Sequence, residues 1–157
     1  MAYQSIWYHT DLPKDIIDII ERDLSVSFDS SMEDSGLIDN TMDKNRRNSQ
    51  NAWVPTTHWL GGFIWHYIER ANRENFLYDL RCIDNESIQY TQYNRGQFYG
   101  WHNDSDLPTQ YKPIAVGNRS DALVQDFLNT ECEMVRKLSF VLQLSDPDDY
   151  EVGYLQL

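Results

Sequence analysis

The sequence has few cysteines and few cationic residues. Its 2 cysteines, Cys82 and Cys132, lack a Cys-x-x-Cys spacing, so neither a zinc knot nor a dithiol redox motif is indicated. Two free thiols in a reducing compartment are the simplest interpretation. The 13 Lys and Arg residues face 25 Asp and Glu residues, which gives a net charge of −12. This balance argues against an extended nucleic-acid-binding surface.

Long apolar runs are also absent. No stretch approaches the roughly 20 residues that span a bilayer, and the first residues resemble no signal peptide. We therefore expect no membrane insertion and a cytoplasmic protein. The hydrophobic fraction of 41% and the length of 157 residues suit one domain, residues 1–157, with a sizeable core.

Periodicity predicts helices early in the chain and strands later, an α+β order. A first helix is expected to open near Asp11, and to bury a stripe that ends at Leu24. A second helix is expected from Thr56. The basic run at residues 44–48 reads as a solvated turn. Strands are predicted at residues 26–28, 52–54, 76–80, 88–93, 98–101, 138–144 and 153–157.

The segment at residues 93–104 carries the strongest chemical signal. It ends in His102-Asn103-Asp104, and residues i and i+2 of a strand point to the same face. One imidazole and one carboxylate are two of the three protein ligands in the facial triad of non-haem Fe(II) enzymes. A second match, His9-Thr10-Asp11, lacks the aromatic flanks and is interpreted as a helix-entry segment.

Further motifs follow the His-x-Asp segment in a fixed order. The first segment reads Tyr93 to Tyr99-x-x-His102-x-Asp104, and it is followed by Arg136-x-x-Ser139 and Leu144-Ser145-x-Pro147-x-x-Tyr150. Together these motifs resemble the Fe(II)/2-oxoglutarate dioxygenases, in the prolyl-4-hydroxylase-like branch that includes bacterial and phage hydroxylases. The chain departs from the family at Val152, where a glycine is usual, and at Tyr154, where an acid is usual.

The resemblance implies a double-stranded β-helix, or jelly roll, with helical support at about residues 1–75 and barrel strands at about residues 76–157. His102 is the last histidine of the chain. In the family the distal histidine and the base that pairs with 2-oxoglutarate come later than residue 157. The barrel is therefore expected to be incomplete in this chain, which is expected not to turn over 2-oxoglutarate by itself.

The resemblance also implies roles for individual residues. His102 and Asp104 would bind Fe(II), Tyr93 would donate a hydrogen bond to 2-oxoglutarate, and Tyr99 would line the pocket beside the metal. Gln143 faces away from its apolar strand neighbours and is a candidate for the co-substrate pocket. The cofactors would be Fe(II) and 2-oxoglutarate, with ascorbate as an optional third. O2 and a protein or peptide substrate, such as a peptidyl proline, would complete the reaction in the cytoplasm, or in the host cytoplasm for a viral protein.

Alternatives of other classes remain at this point. A non-catalytic binding or assembly module derived from the same fold fits the departures at Val152 and Tyr154. A cupin-like barrel that binds another divalent metal is a further candidate, and a homo-oligomer is an open alternative to a monomer. Residues 105–133 form a long connection directly after the metal motif, and their length predicts a lid or an insertion.

Overall fold

The computed structural model describes residues 7–36, 42–83, 86–102, 104, 109–111, 132–134 and 136–149. The chain divides into two compact units. The first comprises Met1–Trp101 with Phe140–Leu157, and the second comprises His102–Ser139. The described helices and strands are α1 (Lys14–Phe28), β1 (Glu33–Asp34), β2 (Arg47–Asn48), β3 (Gln50–Pro55), α2 (Trp59–Ala71), β4 (Ser87–Gln92), β5 (Phe98–Tyr99), β6 (Thr109–Tyr111) and β7 (Cys132–Met134).

Helix α1 forms where the apolar stripe predicts it and buries Ile20 and Leu24. Its N-cap is Pro13, with no side-chain cap. The helix therefore begins three residues after Asp11, which could cap a helix by its residue type but does not cap this one. The helix also runs through Phe28, which corrects the strand prediction at residues 26–28. Helical spacing continues the buried face here and overrides the β-branched character of Val26.

Helix α2 begins three residues later than Thr56. Its N-cap is His58, whose Nδ1 accepts a hydrogen bond from the backbone N–H of Leu60 at 3.4 Å. Gly61 follows in the first turn, and a Cβ at that position would overlap the carbonyl oxygen of Thr56. The tight turn before α2 therefore requires glycine at this position.

The main sheet is antiparallel with strand order β1-β3-β4. In the β3–β4 pair Ala52 opposes Tyr90 and Val54 opposes Ile88, and these side chains share one face because alternate residues do. We call it the inner face. It joins both helices in a single apolar core, which consists of Ile20, Leu24, Ala52, Val54, Leu60, Ile64 and Tyr90.

The opposite face of this sheet, which we call the outer face, is polar. It carries Asn51 and Trp53 of β3, together with Ser49, the residue just before β3. Gln89 of β4 lies opposite Trp53. The chain changes sheets at Ser49, because β2 just before it pairs with β5 rather than with the main sheet. Ser35, Ser49 and Asn51 are all at least nine-tenths buried.

Several strand predictions differ from the structure. Residues 72–76 form a π-helical turn, and residues 77–80 form no strand. Residues 138–144 also lack strand pairing in the described part of the chain, although Leu142 and Leu144 pack against the core. Three strands lie before residue 75, ahead of the expected barrel region. The predictions at residues 52–54 and 88–93 are confirmed by β3 and β4.

The second unit contains one described strand pair. Strands β6 and β7 are antiparallel, with Thr109 opposite Met134 and Tyr111 opposite Cys132. Both lie at the ends of the long connection, so part of residues 105–133 is regular structure. A short helix that Ser120 and Asp121 could cap by their residue types would fall outside the described residues, as does the strand expected at residues 153–157. The fold is α+β with small antiparallel sheets, and no closed barrel is formed by the residues described.

Candidate metal centre

A tight turn precedes the metal motif in the chain. After β4 ends at Gln92, Asn94 and Gln97 bracket a turn in which the Gln97 N–H donates to the Asn94 carbonyl at 2.9 Å. Gln97 Oε1 also accepts the Asn94 N–H at 2.7 Å. Gly96 has a φ of +80°, a left-handed conformation that favours glycine. Strand β5 then covers only two residues instead of the four expected.

His102 and Asp104 meet beyond the end of that strand. The distance from His102 Nε2 to Asp104 Oδ1 is 3.1 Å. The two side chains are 34% and 48% exposed, so both are partly accessible to a solute. Neither residue lies in a described strand. A bend, rather than the expected strand geometry, produces the convergence of positions i and i+2.

The spacing of the two donor atoms suits a shared cation. Metal–donor bonds of about 2.1 Å at right angles place neighbouring donors about 3.0 Å apart. The 3.1 Å between Nε2 and Oδ1 matches this value. It also suits a hydrogen bond from Nε2–H to the carboxylate. A cation would therefore displace the imidazole proton on binding, as metal binding to histidine generally requires.

Arg136 links the second sequence motif to the first. Its Nη1 donates to the backbone carbonyl of Asp104 at 2.8 Å, and all three residues of this cluster belong to the second unit. A charge-assisted hydrogen bond of this kind is stronger than a neutral one. The guanidinium thus holds the Asp104 segment through its backbone carbonyl.

The second His-x-Asp match differs in geometry. His9 stacks on Trp7 with ring centroids 5.2 Å apart, and within the described chain it forms no ion pair with Asp11. The two segments have the same residue types at the same spacing. Only the His102 segment brings imidazole and carboxylate together.

The three residues expected to contact 2-oxoglutarate lie in the first unit. Tyr93 follows β4 directly and is 50% exposed. Gln143 is exposed between the half-buried Leu142 and Leu144, as its predicted orientation requires. Tyr99 lies in β5 opposite Arg47, and the Arg47 guanidinium carbon sits 4.6 Å from the centre of its ring.

Sequence reasoning missed Arg47, which it assigned to a solvated turn. Arg46 and Lys44 in the same run are exposed, but Arg47 is only 8% exposed. A signal was present in the alternation Arg47-x-Ser49-x-Asn51-x-Trp53, which has the period of a strand with one polar face. The period was not recognised, because the residues before and between these positions are mostly polar as well.

The described residues contain neither a larger group of metal ligands nor a membrane-spanning helix. No group of three or more His, Cys, Asp or Glu side chains is arranged to hold a metal ion among them. Within the same residues, no helix has the length and apolarity needed to cross a membrane. Comparisons with protein-family models, with curated proteins and with solved structures find no match to this chain.

Proposed function

We propose that this protein is an Fe(II)- and 2-oxoglutarate-dependent hydroxylase, in which His102 and Asp104 are two of the protein ligands to iron. The observation that supports the proposal most is the 3.1 Å approach of His102 Nε2 to Asp104 Oδ1. A neutral imidazole and a carboxylate are ligands that suit Fe(II). The ordered motifs that end at Tyr150 favour this class over other users of the same ligand pair.

The residues of the second unit have separable tasks in this proposal. Bound iron and 2-oxoglutarate supply the oxidising chemistry, and the protein orients and shields it. His102 provides Nε2 after the loss of its proton. Asp104 provides its carboxylate. Arg136 holds the backbone of Asp104, because Arg136 Nη1 donates to the Asp104 carbonyl oxygen at 2.8 Å. A peptidyl proline is the substrate class that the motif resemblance favours.

Metal affinity tests this proposal most simply. Anaerobic calorimetry with Fe(II) would compare the wild type with His102→Ala and Asp104→Asn. Loss of a ligand is expected to weaken binding by at least about tenfold, since even loss of a residue that only hydrogen-bonds to a ligand costs that much. His9→Ala and Asp11→Asn are matched controls, because they alter the same motif where imidazole and carboxylate do not meet.

The outcomes separate the candidate functions. Selective loss of affinity in the His102 and Asp104 variants supports the hydroxylase proposal. Equal losses in the His9 and His102 variants would indicate adventitious binding to an acid-rich surface and would overturn it. Wild-type protein with no Fe(II) affinity would favour the non-catalytic binding or assembly module.

A further inference from the structure

Beside the outer face of the main sheet, strand β2 holds a buried cation without a described anionic partner. Arg47 is 8% exposed. Buried arginines are normally paired with carboxylates because an uncompensated charge is costly to desolvate. No carboxylate of the described residues forms an ion pair with Arg47, and the hydrogen-bond partners that it has among these residues are neutral.

The neutral partners hold the guanidinium in one place. Its Nε donates to Ser49 Oγ at 3.2 Å, and its Nη1 donates to the Gly36 carbonyl at 3.4 Å. Its Nη2 donates to Gln89 Oε1 at 3.0 Å. A guanidinium has five N–H donors, and the described residues accept from three of them and leave two. Two N–H groups are what a carboxylate needs for bidentate binding.

The surroundings favour an incoming carboxylate. The Tyr99 ring lies against the guanidinium at 4.6 Å and covers it without neutralising its charge. Ser49 is itself fixed, because its Oγ donates to Ser35 Oγ at 2.9 Å and it is 2% exposed. The site is therefore preorganised on its buried side.

The neighbours on the other side of Arg47 are exposed. Gln89, which accepts from Nη2, is exposed, and Trp53 opposite it on β3 is 58% exposed. An incoming anion would approach the Nη2 end of Arg47 from the side of these two residues. The indole of Trp53 offers an apolar wall for the carbon skeleton of an organic acid.

We infer that Arg47, with Gln89 and Trp53 at its open side, forms a binding site for the carboxylate of a small organic acid. A planar carboxylate matches the two remaining donors of the planar guanidinium. The net charge of −12 repels polyphosphates, which carry several negative charges, more strongly than it repels a small carboxylate. This site belongs to the first unit, and its formation does not depend on iron at His102.

Thermal unfolding of the full chain tests the site without any metal. Metal is removed from the buffers with a chelating resin. Dissolved polycarboxylate chelators are avoided, because they would compete with the added carboxylate for the Arg47 site. Acetate, succinate, 2-oxoglutarate and phosphate would be titrated at constant ionic strength. A carboxylate at a tenfold excess over its Kd is expected to raise Tm by about 3 °C, with saturation. No saturable rise with any carboxylate, or a rise with phosphate alone, would overturn the inference.

Variants assign the response to the guanidinium. Arg47→Lys keeps the charge but loses the planar fork, and it is expected to abolish the carboxylate response. Arg46→Met removes a neighbouring exposed arginine, and it is expected to retain the full response. An unchanged response in Arg47→Lys, or its loss in Arg46→Met, would contradict the assignment.

A second variant covers the case in which Arg47→Lys fails to fold. Gln89→Glu is isosteric and places a carboxylate on the atom that already accepts from Nη2. It is expected to raise Tm without ligand and to reduce the response to added carboxylate at least fivefold. A full response in Gln89→Glu would show that added carboxylates bind elsewhere.

Discussion

The two faces of the β1–β3–β4 sheet are used differently. The inner face packs Ala52 and Val54, which are 2% and 0% exposed, against both helices. The outer face buries Ser49, and Arg47 beside it, nearly as deeply. Burial of apolar area stabilises a fold by about 25 cal/mol per Å², whereas burial of polar groups costs free energy unless hydrogen bonds replace water. Stability is therefore assigned to the inner face and binding to the outer face.

The largest effect is expected on the inner face. Ile20 is fully buried between α1 and the sheet. Ile20→Ala removes buried methyl groups and leaves a cavity, so the free energy of unfolding should fall by about 3 kcal/mol. Urea denaturation measures this loss. Ile19→Ala is the control, because Ile19 is adjacent on the same helix and 43% exposed; equal losses in both variants would contradict the assigned core.

A smaller loss is expected at the turn that positions α2 over the inner face. Gly61→Ala places a Cβ against the Thr56 carbonyl oxygen, and the backbone must shift to relieve the overlap. The expected destabilisation is about 2 kcal/mol, measured by urea denaturation. Gly62→Ala has open space around its Cβ and should be neutral or stabilising in a helix. The reverse order would show that the turn before α2 is wrong.

Substitution on the outer face should cost less than on the inner face. Arg47 has no described charged partner, so Arg47→Met leaves no carboxylate of the described residues uncompensated. It removes three hydrogen bonds together with the desolvation cost of one buried cation. The expected loss of unfolding free energy is below about 1.5 kcal/mol, measured by urea denaturation. A loss as large as that of Ile20→Ala would erase the distinction between the two faces.

Sequence patterns predicted the inner face far better than the outer face. The stripe through Ile20 and Leu24 is a local period of apolar residues, and helices need no distant partner to form. Strands do need one: residues 138–144 alternate as a strand should, yet within the described chain they have no paired neighbour. The polar outer face at Arg47 and Ser49 was missed because polar alternation resembles a loop.

The candidate metal pair was predicted only in part. The sequence identified His102 and Asp104 and gave a reason to prefer them over His9 and Asp11. The sequence predicted a strand over residues 98–101, whereas β5 ends at Tyr99. The bend that follows β5 and brings the two side chains together was therefore not predicted. The contact of Arg136 with the Asp104 carbonyl spans 32 residues, and such contacts depend on tertiary structure.

The smallest effect is expected at an exposed cluster away from both faces. Hydrogen bonds from Tyr8, at 2.6 Å, and from Arg70, at 3.0 Å, lower the pKa of the Glu74 carboxyl. A carboxyl with a lowered folded-state pKa stabilises the fold above its unfolded pKa, and this contribution is lost as the pH falls through the folded value. Tyr8→Phe should therefore lower Tm slightly at pH 7. Thermal scans should show the difference disappear in acid; a difference that grows in acid would contradict this sign.

The most direct test of the central claim is residue-resolved mapping of a paramagnetic stand-in for iron. Mn²⁺ would be added in substoichiometric amounts to protein with ¹⁵N-labelled histidines, and broadening of imidazole NMR signals would be followed. The account predicts that the His102 signals broaden first, while those of His9, His58 and His66 persist. The 25 acidic side chains make this resolution necessary, because weak binding elsewhere is expected. Earlier or equal broadening at His9 would contradict the assignment of His102 and Asp104 as the metal ligands.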